Sequence, residues 1–407
     1  MTGDRLRIGL IGHRFMGKMH SHAYRVMAQM MSPALIPELV VICGRDAASC
    51  EVARSAWGWS EIATDWQDVV CRSDIDAVDI AAPSNVHAAI AMAALGNGKH
   101  VFVEKPLANS VADAEQMWQE AQGSGTVHMV GFNYRWLPAI QLARDLIANG
   151  RLGCIYHVRA QYLQDWAMDP CVPLSWRFQK PIAGSGALGD LLSHAIDLVR
   201  FLVDEFAEIS GVQSTFVKRR PTVQAPIGTG IGSAVAADAM APVTVDDATL
   251  AIGQLQGGTL VSLEATRFAS GRKNALHLEI NGSQGSIVWD LETLNDLLVN
   301  LRESSVPALE GYRRVLATHA NHPYMQYWWP EGHSVGYDVS FVHELHAWVT
   351  AIGSPEGLSI PNFYDGFRCQ QVIEAITASA LDGKRIAINV APTPPAEGSV
   401  QNPLTAP

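Results

Sequence analysis

The stretch Leu6-Arg-Ile-Gly-Leu-Ile-Gly-His-Arg-Phe-Met-Gly17 decides how this chain begins to fold. Leu6 to Ile11 is a short apolar run and reads as a strand; Gly12 to Gly17 is a glycine turn; a helix-like segment starts near Lys18. Strand, glycine turn and helix in that order are the setting of a dinucleotide-binding fingerprint. Its physical logic is close approach of the backbone to a pyrophosphate lying at the positive end of a helix. The middle glycine of the fingerprint is replaced by Arg14. Either this side chain reaches a phosphate itself or the loop is reshaped around it. Gly12, Arg14, Phe15 and Met16 are therefore candidate cofactor contacts.

Short apolar runs and helices alternate through the rest of the first third. Strands are predicted at Leu39–Cys43, Asp76–Ala81, His100–Val103 and Val127–Phe132, with a helix from His87 to Gly96. This alternation predicts a parallel sheet of βαβ units, on which ligands lie beyond the carboxyl ends of the strands. Those ends carry Gly44-Arg45-Asp46, Ala82-Pro83-Ser84-Asn85 ahead of His87, Glu104-Lys105-Pro106 and Asn133-Tyr134-Arg135. Gly44, Arg45, Ala82, Pro83, Asn85, His87, Glu104 and Asn133 join the candidate cofactor residues. An acidic residue ending the second strand would bond an NAD ribose, whereas an arginine suits the 2′-phosphate of NADP. Here Gly44 and Arg45 come first and Asp46 arrives late, so both NAD and NADP stay open. A plain helix cap is the competing role for Asp46.

Farther on, Trp176 to Asp197 combines a glycine-rich bend (Gly184, Ser185, Gly186, Gly189) with an apolar periodic segment, Leu188–Leu202, which reads as a helix. Asp190 and His194 stand four apart and project from one helical face. An imidazole and a carboxylate so placed suit a general base with an orienting partner, or, more blandly, a buried histidine bonded to a neighbour. Asp197 fits a structural partner of the helix.

The second part of the chain has a different rhythm. After a helix at Pro138–Asn149 come strands at Ile155–Tyr162, Ile209–Val217, Ala248–Gln256, Thr259–Ala265, Ala275–Asn281, Ser286–Asp290 and Asp296–Leu301. Hairpin turns at Gly257-Gly258 and Gly282–Gly285 predict an antiparallel sheet. Pro221–Pro242, rich in Gly, Ala and Pro, fits a long loop or subunit contact. Helices are predicted at Ser340–Ile352 and Phe363–Leu381.

Taken together, Gly12–Gly17, Ala82–His87, Glu104-Lys105-Pro106 and Gly189-Asp190-x-x-x-His194 resemble the Gfo/Idh/MocA oxidoreductases over about residues 5–390. The resemblance implies a Rossmann-type parallel sheet domain at 1–135 and an open-faced, mostly antiparallel α+β domain at 136–390 for substrate and oligomerisation. A proline-rich tail, expected to be disordered, would occupy 391–407. A finer similarity, through Tyr162-Leu-Gln-Asp-Trp166 and Pro173–Asp190, is to the levoglucosan, inositol and glycoside 3-dehydrogenase branch. It implies Lys105, Asp190 and His194 as the catalytic group, also touching substrate. Tyr134, Tyr162, Gln164, Trp166 and Arg177 would lie around the sugar, and Trp176 and Arg177 beside the cofactor. Tyr337, ending the aromatic segment from His322, would cover the substrate, or that segment is core or interface.

The expected reaction is hydride transfer between a nicotinamide cofactor and a ring hydroxyl or ketone of a sugar or cyclitol, with C3 one option. His194 would take the proton, its ordinary pKa of roughly 6.5 suiting neutral pH, and Lys105 would stabilise developing charge. A glycosidase or epimerase using transient oxidation, or a non-catalytic cofactor sensor, are the alternatives. With 407 residues, 48% hydrophobic and 17% charged, there is material for two packed domains. A net charge of -11 argues against nucleic acid, and no apolar run is long enough for a membrane. Six scattered cysteines without a CxxC pair read as buried thiols of the cytoplasm. No metal site is expected: His343-Glu-Leu-His346 has the wrong spacing for zinc, and His13, His20 and His22 lack nearby carboxylates. A homodimer or homotetramer is expected.

Overall fold

The computed structural model describes residues 4–226, 234–302, 310–354 and 359–389. Six strands, β1 (Arg5–Ile11), β2 (Ile36–Cys43), β3 (Glu61–Ala63), β4 (Ala77–Ile80), β5 (His100–Glu104) and β6 (His128–Gly131), form one parallel sheet in the order 3-2-1-4-5-6. Helices α1 (Phe15–Met30), α2 (Ala47–Trp57), α3 (Trp66–Val70), α4 (His87–Gly96) and α5 (Val111–Ser124) connect these strands. The strand order reverses between β1 and β4, and at such a switch point the chain opens a crevice. Ile8, Leu10, Val78, Ile80, Val101 and Val103 are buried, because a sheet covered on both faces requires apolar residues throughout.

The chain then leaves through α6 (Pro138–Ala148), β7 (Ile155–Leu163), α7 (Lys180–Ala183) and α8 (Ser193–Leu202). Strands β8 (Phe206–Ser214), β9 (Arg219–Pro226), β10 (Ala234–Pro242), β11 (Ala248–Leu255), β12 (Leu260–Thr266), β13 (Ala275–Gly282), β14 (Gly285–Asp290), β15 (Asp296–Leu301) and β16 (Arg313–Leu316) follow. Helices α9 (Val339–Gly353) and α10 (Phe363–Asp382) precede the last strand, β17 (Ile386–Ala387). Nine of these strands make a second sheet ordered 16-15-14-13-7-12-11-8-17, antiparallel except for the β7–β12 pair. Both predicted glycine turns are hairpins here, β11–β12 and β13–β14. One face of this sheet is apolar and buried; the other leaves Val212, Leu250, Ile252 and Leu260 exposed.

Three expectations change. The segment Pro221–Pro242 is not wholly a loop: β9 and β10 pair antiparallel, with Thr222, Val223 and Val235 the residues of high strand propensity. The run Leu188–Leu202 is not one regular helix: Leu188–Leu192 is a π turn, with Ser193 N–H bonded to Leu188 O, and only then does α8 begin. Cys71, Cys154 and Cys171 are exposed, because they fall in turns between elements; only Cys43, Cys50 and Cys369 are buried. The tail from 391 lies outside the described residues.

The two sheets are joined by charge as well as by packing. Arg135, just after β6, grips Asp197 of α8 with Nε at 2.8 Å and Nη2 at 2.5 Å, and also reaches Asp365 of α10 at 2.9 Å. Asp365 in turn closes a capping box with Asn362 at the start of α10. Asp197 thus has the structural role expected of it. Asp197→Ala leaves a buried guanidinium half-paired and is expected to cost about 3 kcal/mol. Urea unfolding reads this directly, and an unchanged midpoint would show the pair to be dispensable.

Candidate active site

The glycine turn is built for close backbone approach. Gly12 has φ +122°, and a Cβ there would stand 2.4 Å from Ala81 O; one on Gly17 would stand 2.0 Å from Gly12 O. Only glycine fits either place. Arg14 is the residue capping α1, with no side-chain cap bond, so the first amides of the helix face outward past Phe15 and Met16. Gly44 leaves room for the His13 ring, since a Cβ would stand 2.0 Å from His13 Nδ1. Arg45 is exposed, and Asp46 accepts from Ser49 N–H at 2.7 Å, so it caps α2. Ala82, Pro83 and Asn85 follow β4 along the crevice. These residues fit a bound dinucleotide: a tight turn, free helix-end amides and open strand ends.

Three candidates from the same strand ends are engaged with protein instead. His87 is buried between the carbonyls of Pro106 (Nδ1, 3.0 Å) and Ala82 (Nε2, 2.8 Å). Asn133 donates to Ser340 Oγ at 2.8 Å. Glu104 turns back under the sheet toward His20, 3.0 Å from its Nε2. They hold the rim together, because strand-end residues can point either up to a ligand or down to the next loop.

Lys105, Asp190 and His194 come together where the crevice meets the second sheet. The Lys105 ammonium donates to the main-chain oxygen of Asp190 at 2.7 Å and lies 3.5 Å from its Oδ1. Arg267, fully buried at the end of β12, donates through Nη2 to Asp190 Oδ2 at 2.9 Å. Burial opposes ionisation of Asp190, but Arg267, Lys105 and Arg177 overcome it and hold the carboxyl far below the usual range. His194 is buried, and burial followed by the Lys105 charge pushes its pKa well below 6.5 despite Asp190. The imidazole is therefore neutral at neutral pH, unlike the partly protonated group that an ordinary pKa implies.

The geometry of this corner begins at the glycine bend. The Asp246 carboxylate accepts from Gly186 N–H at 2.6 Å and Leu188 N–H at 2.8 Å, and Asp246 O accepts from Ala187 N–H at 3.1 Å. A Cβ on Gly186 would sit 1.7 Å from that oxygen. The anion thus caps the positive end of the π turn carrying Asp190.

Aromatic and amide side chains wall the other side. Tyr134 packs on His194 with ring centroids 4.6 Å apart, and its hydroxyl meets that of Tyr162 at 2.7 Å. Tyr162 donates to Asn274 Oδ1 at 2.7 Å, as does Gln164 Nε2, while Trp166 Nε1 donates to Gln164 Oε1 at 2.8 Å. Trp176 stacks under the Arg177 guanidinium at 4.4 Å, and buried Arg177 Nε has no partner among the described residues. Tyr337 reaches Tyr134 (6.3 Å between rings) and lines a recess of about 240 Å3 with Asn274, Lys273 and Val335. Elsewhere in its aromatic segment Tyr324 stacks on His343 at 4.3 Å and Trp328 Nε1 donates to His343 Nε2 at 2.7 Å, while Trp329 is exposed.

Sequence reading missed Arg267, Asn274 and Asp246. The only local signal is a strand end, Ala265-Thr-Arg267, of the kind that marked Lys105. It also missed that distant carboxylates meet His20: donor atoms of His20, Glu104 and Glu344 lie within 4.8 Å of one another. Both His20 nitrogens already face carboxylates, so His20, Asp79 and Glu104 form a hydrogen-bonded cluster that Glu344 adjoins without bonding to it. No helix among the described residues is long and apolar enough to cross a membrane.

Residues 6–132 match the model of the Gfo/Idh/MocA oxidoreductase family, NAD-binding Rossmann fold, and residues 140–288 match a C-terminal domain of the same family. The chain is 40% identical over 380 residues to levoglucosan dehydrogenase of Pseudarthrobacter phenanthrenivorans, covering 93% of this chain and 96% of that one. It is 27% identical to glucose-6-phosphate 3-dehydrogenase of Bacillus subtilis, over 72% of this chain and 76% of the relative. A solved levoglucosan dehydrogenase in complex with NADH and levoglucosan superposes with a TM-score of 0.88 at 38% identity, covering 95% of this chain and all of the other. The turn, the strand-end lysine and the Asp-x-x-x-His pair are thus parts of an NAD-binding oxidoreductase, and the chain belongs to the Gfo/Idh/MocA family.

Proposed function

We propose that this oxidoreductase oxidises a ring hydroxyl of a pyranose, levoglucosan or a related pyranoside, at C3, with NAD as acceptor. The observation that carries the reading is the meeting of Lys105, Asp190 and a neutral, buried His194 at the mouth of the dinucleotide crevice. The bound nicotinamide supplies the hydride acceptor. His194, neutral and enclosed, takes the hydroxyl proton as the carbon–hydrogen bond breaks. The Lys105 ammonium, held by Asp190, donates to the same oxygen and stabilises its developing charge. Asp190 keeps its negative charge because three cations surround it, so it orients Lys105 and accepts from a neighbouring sugar hydroxyl. Tyr134, Tyr162, Gln164 and Trp166 offer ring faces and paired donors to a polyhydroxy ring. NAD is taken as the acceptor because the matching family model is an NAD-binding Rossmann fold and the similar levoglucosan dehydrogenase was solved with NADH. The exposed apolar residues Val212, Leu250, Ile252 and Leu260 on the open sheet face offer a surface on which a homodimer or homotetramer would form.

Reduced-nicotinamide absorbance across a panel of levoglucosan, glucosides, glucose 6-phosphate and inositols is expected to rise with NAD and an anhydro- or pyranoside sugar. Sugar turnover at a constant cofactor redox state would instead favour transient oxidation, as in a glycosidase or epimerase. Lys105→Ala and His194→Ala are each expected to lower kcat by about a hundredfold or more, with NAD affinity within a few-fold. A near-normal kcat in either variant would remove that residue from the mechanism. Because burial lowers the His194 pKa, the base is lost only on acidification beyond its ordinary range. The acid limb of kcat/KM for oxidation is therefore expected below about pH 6.5, and a limb above it would contradict a buried neutral base.

A further inference from the structure

Behind Lys105, away from the crevice, lies a chain of buried polar contacts that the reaction does not use directly. Tyr24 donates its hydroxyl to Asp79 Oδ2 at 2.9 Å. Asp79 faces His20 Nδ1 at 2.9 and 3.0 Å from its two oxygens, and His20 Nε2 meets Glu104 Oε1 at 3.0 Å. The other oxygen of Glu104 accepts from the main-chain N–H of Lys105 at 3.1 Å. His20, Asp79 and Tyr24 are essentially sealed from solvent, with Phe102 edge-on to the imidazole at 5.4 Å and Phe341 at 6.0 Å.

Two ionised carboxylates, one at each nitrogen, are both satisfied only when the histidine donates from both as an imidazolium. The direction of its pKa agrees: burial lowers it, but Asp79 and Glu104 raise it well above 6.5. Glu344 of α9 closes the pocket, and neither of its oxygens has a partner among the described residues. Burial, then the charge of Glu104, raises the pKa of that carboxyl well above the usual range, which favours its neutral form beside the two anions that the imidazolium serves.

We infer that His20, clamped by Asp79, is a positioning residue: it fixes the Glu104 carboxylate and, through it, the main chain that carries Lys105. The inference rests on the sugar-dehydrogenase reading of Lys105. A lysine ammonium rides on a flexible four-carbon stem, so its aim depends on the backbone beneath it. Glu104 alone has two free torsions before its carboxylate plane; the charge-assisted bond to His20 removes that freedom. His20 and Tyr24 are four apart on one face of α1, the helix whose first turn follows the glycine turn that fits a dinucleotide. One rigid helix therefore sets the cofactor turn at its start and the lysine a turn later.

The test is a double-mutant cycle with His20→Gln and Glu104→Gln, assayed with NAD and the sugar that the wild type oxidises. The glutamine at 104 keeps an acceptor for Lys105 N–H but weakens the tie to the imidazolium. His20→Gln is expected to lower kcat about tenfold to a hundredfold, as a misplaced catalytic group does, with sugar KM and NAD Kd within about threefold. Added to Glu104→Gln it is expected to lower kcat by less than about threefold more, because the path is already cut. Losses that multiply, or a folded His20→Gln enzyme with wild-type kcat, would overturn the inference. If His20→Gln does not fold, Tyr24→Phe takes its place in the same cycle and under the same criterion. Hydrogen exchange at the Lys105 amide gives an answer independent of turnover: it is expected to quicken in the variant, and equal rates would count against the clamp. An inactive wild type across the sugar panel would sink the proposed function alone, leaving the exchange measurement to decide this one.

Discussion

The contact on which the rest depends is the one between the Lys105 ammonium and Asp190. Lys105 ends a strand of the first sheet; Asp190 belongs to the segment that packs on the second. Neither residue is a site by itself. A lysine at a strand end is ordinarily solvated, and a buried aspartate without cations would take up a proton. Brought to 2.7 Å from the Asp190 main-chain oxygen, Lys105 loses its freedom, and with Arg267 and Arg177 it keeps Asp190 ionised. The pair in turn sets the field at His194, whose own burial and the lysine charge hold it neutral.

Much of the surrounding structure serves to bring these charges into register. Asp246 caps the π turn from below, and Gly186 is the residue that lets its carbonyl approach. The extra residue of that turn appears where a regular helix would have been the default, and such turns recur where a side chain must be re-aimed. Arg135, Asp197 and Asp365 lock α8 and α10 to the end of β6, so the helix bearing His194 cannot slide relative to the crevice. Tyr134, from the first part of the chain, and Tyr162, from the second, share a hydrogen bond at the same junction.

The sequence made the local half of this legible. The parallel sheet could be read because strand-turn-helix alternation and the glycine fingerprint are short-range patterns fixed by backbone sterics and apolar periodicity. Lys105 at a strand end and the Asp190/His194 pair four residues apart could be picked out as polar candidates, but it was the family resemblance that joined them into one catalytic group. Arg267 could not be picked out. Its partner is 77 residues away, and nothing near it distinguishes a buried cation from a solvated one. The same holds for Asp246, which acts 60 and 58 residues upstream, and for Asn274, which joins Tyr162 and Gln164 across more than a hundred residues. His20 looked like one of three histidines without carboxylates, because Asp79 and Glu104 approach it only after the strands have paired.

By itself, then, the sequence determined the two kinds of sheet, the order of the elements and the turn that admits a dinucleotide. Those follow from propensities and periodicities acting over a few residues, whereas the choice of Lys105, Asp190 and His194 as a catalytic group came from the family resemblance. Tertiary structure decided the protonation states: an ionised Asp190, a neutral His194 and a charged His20. Such states depend on desolvation and on charges within a few ångströms, and it is the packing of one sheet against the other that brings those charges near.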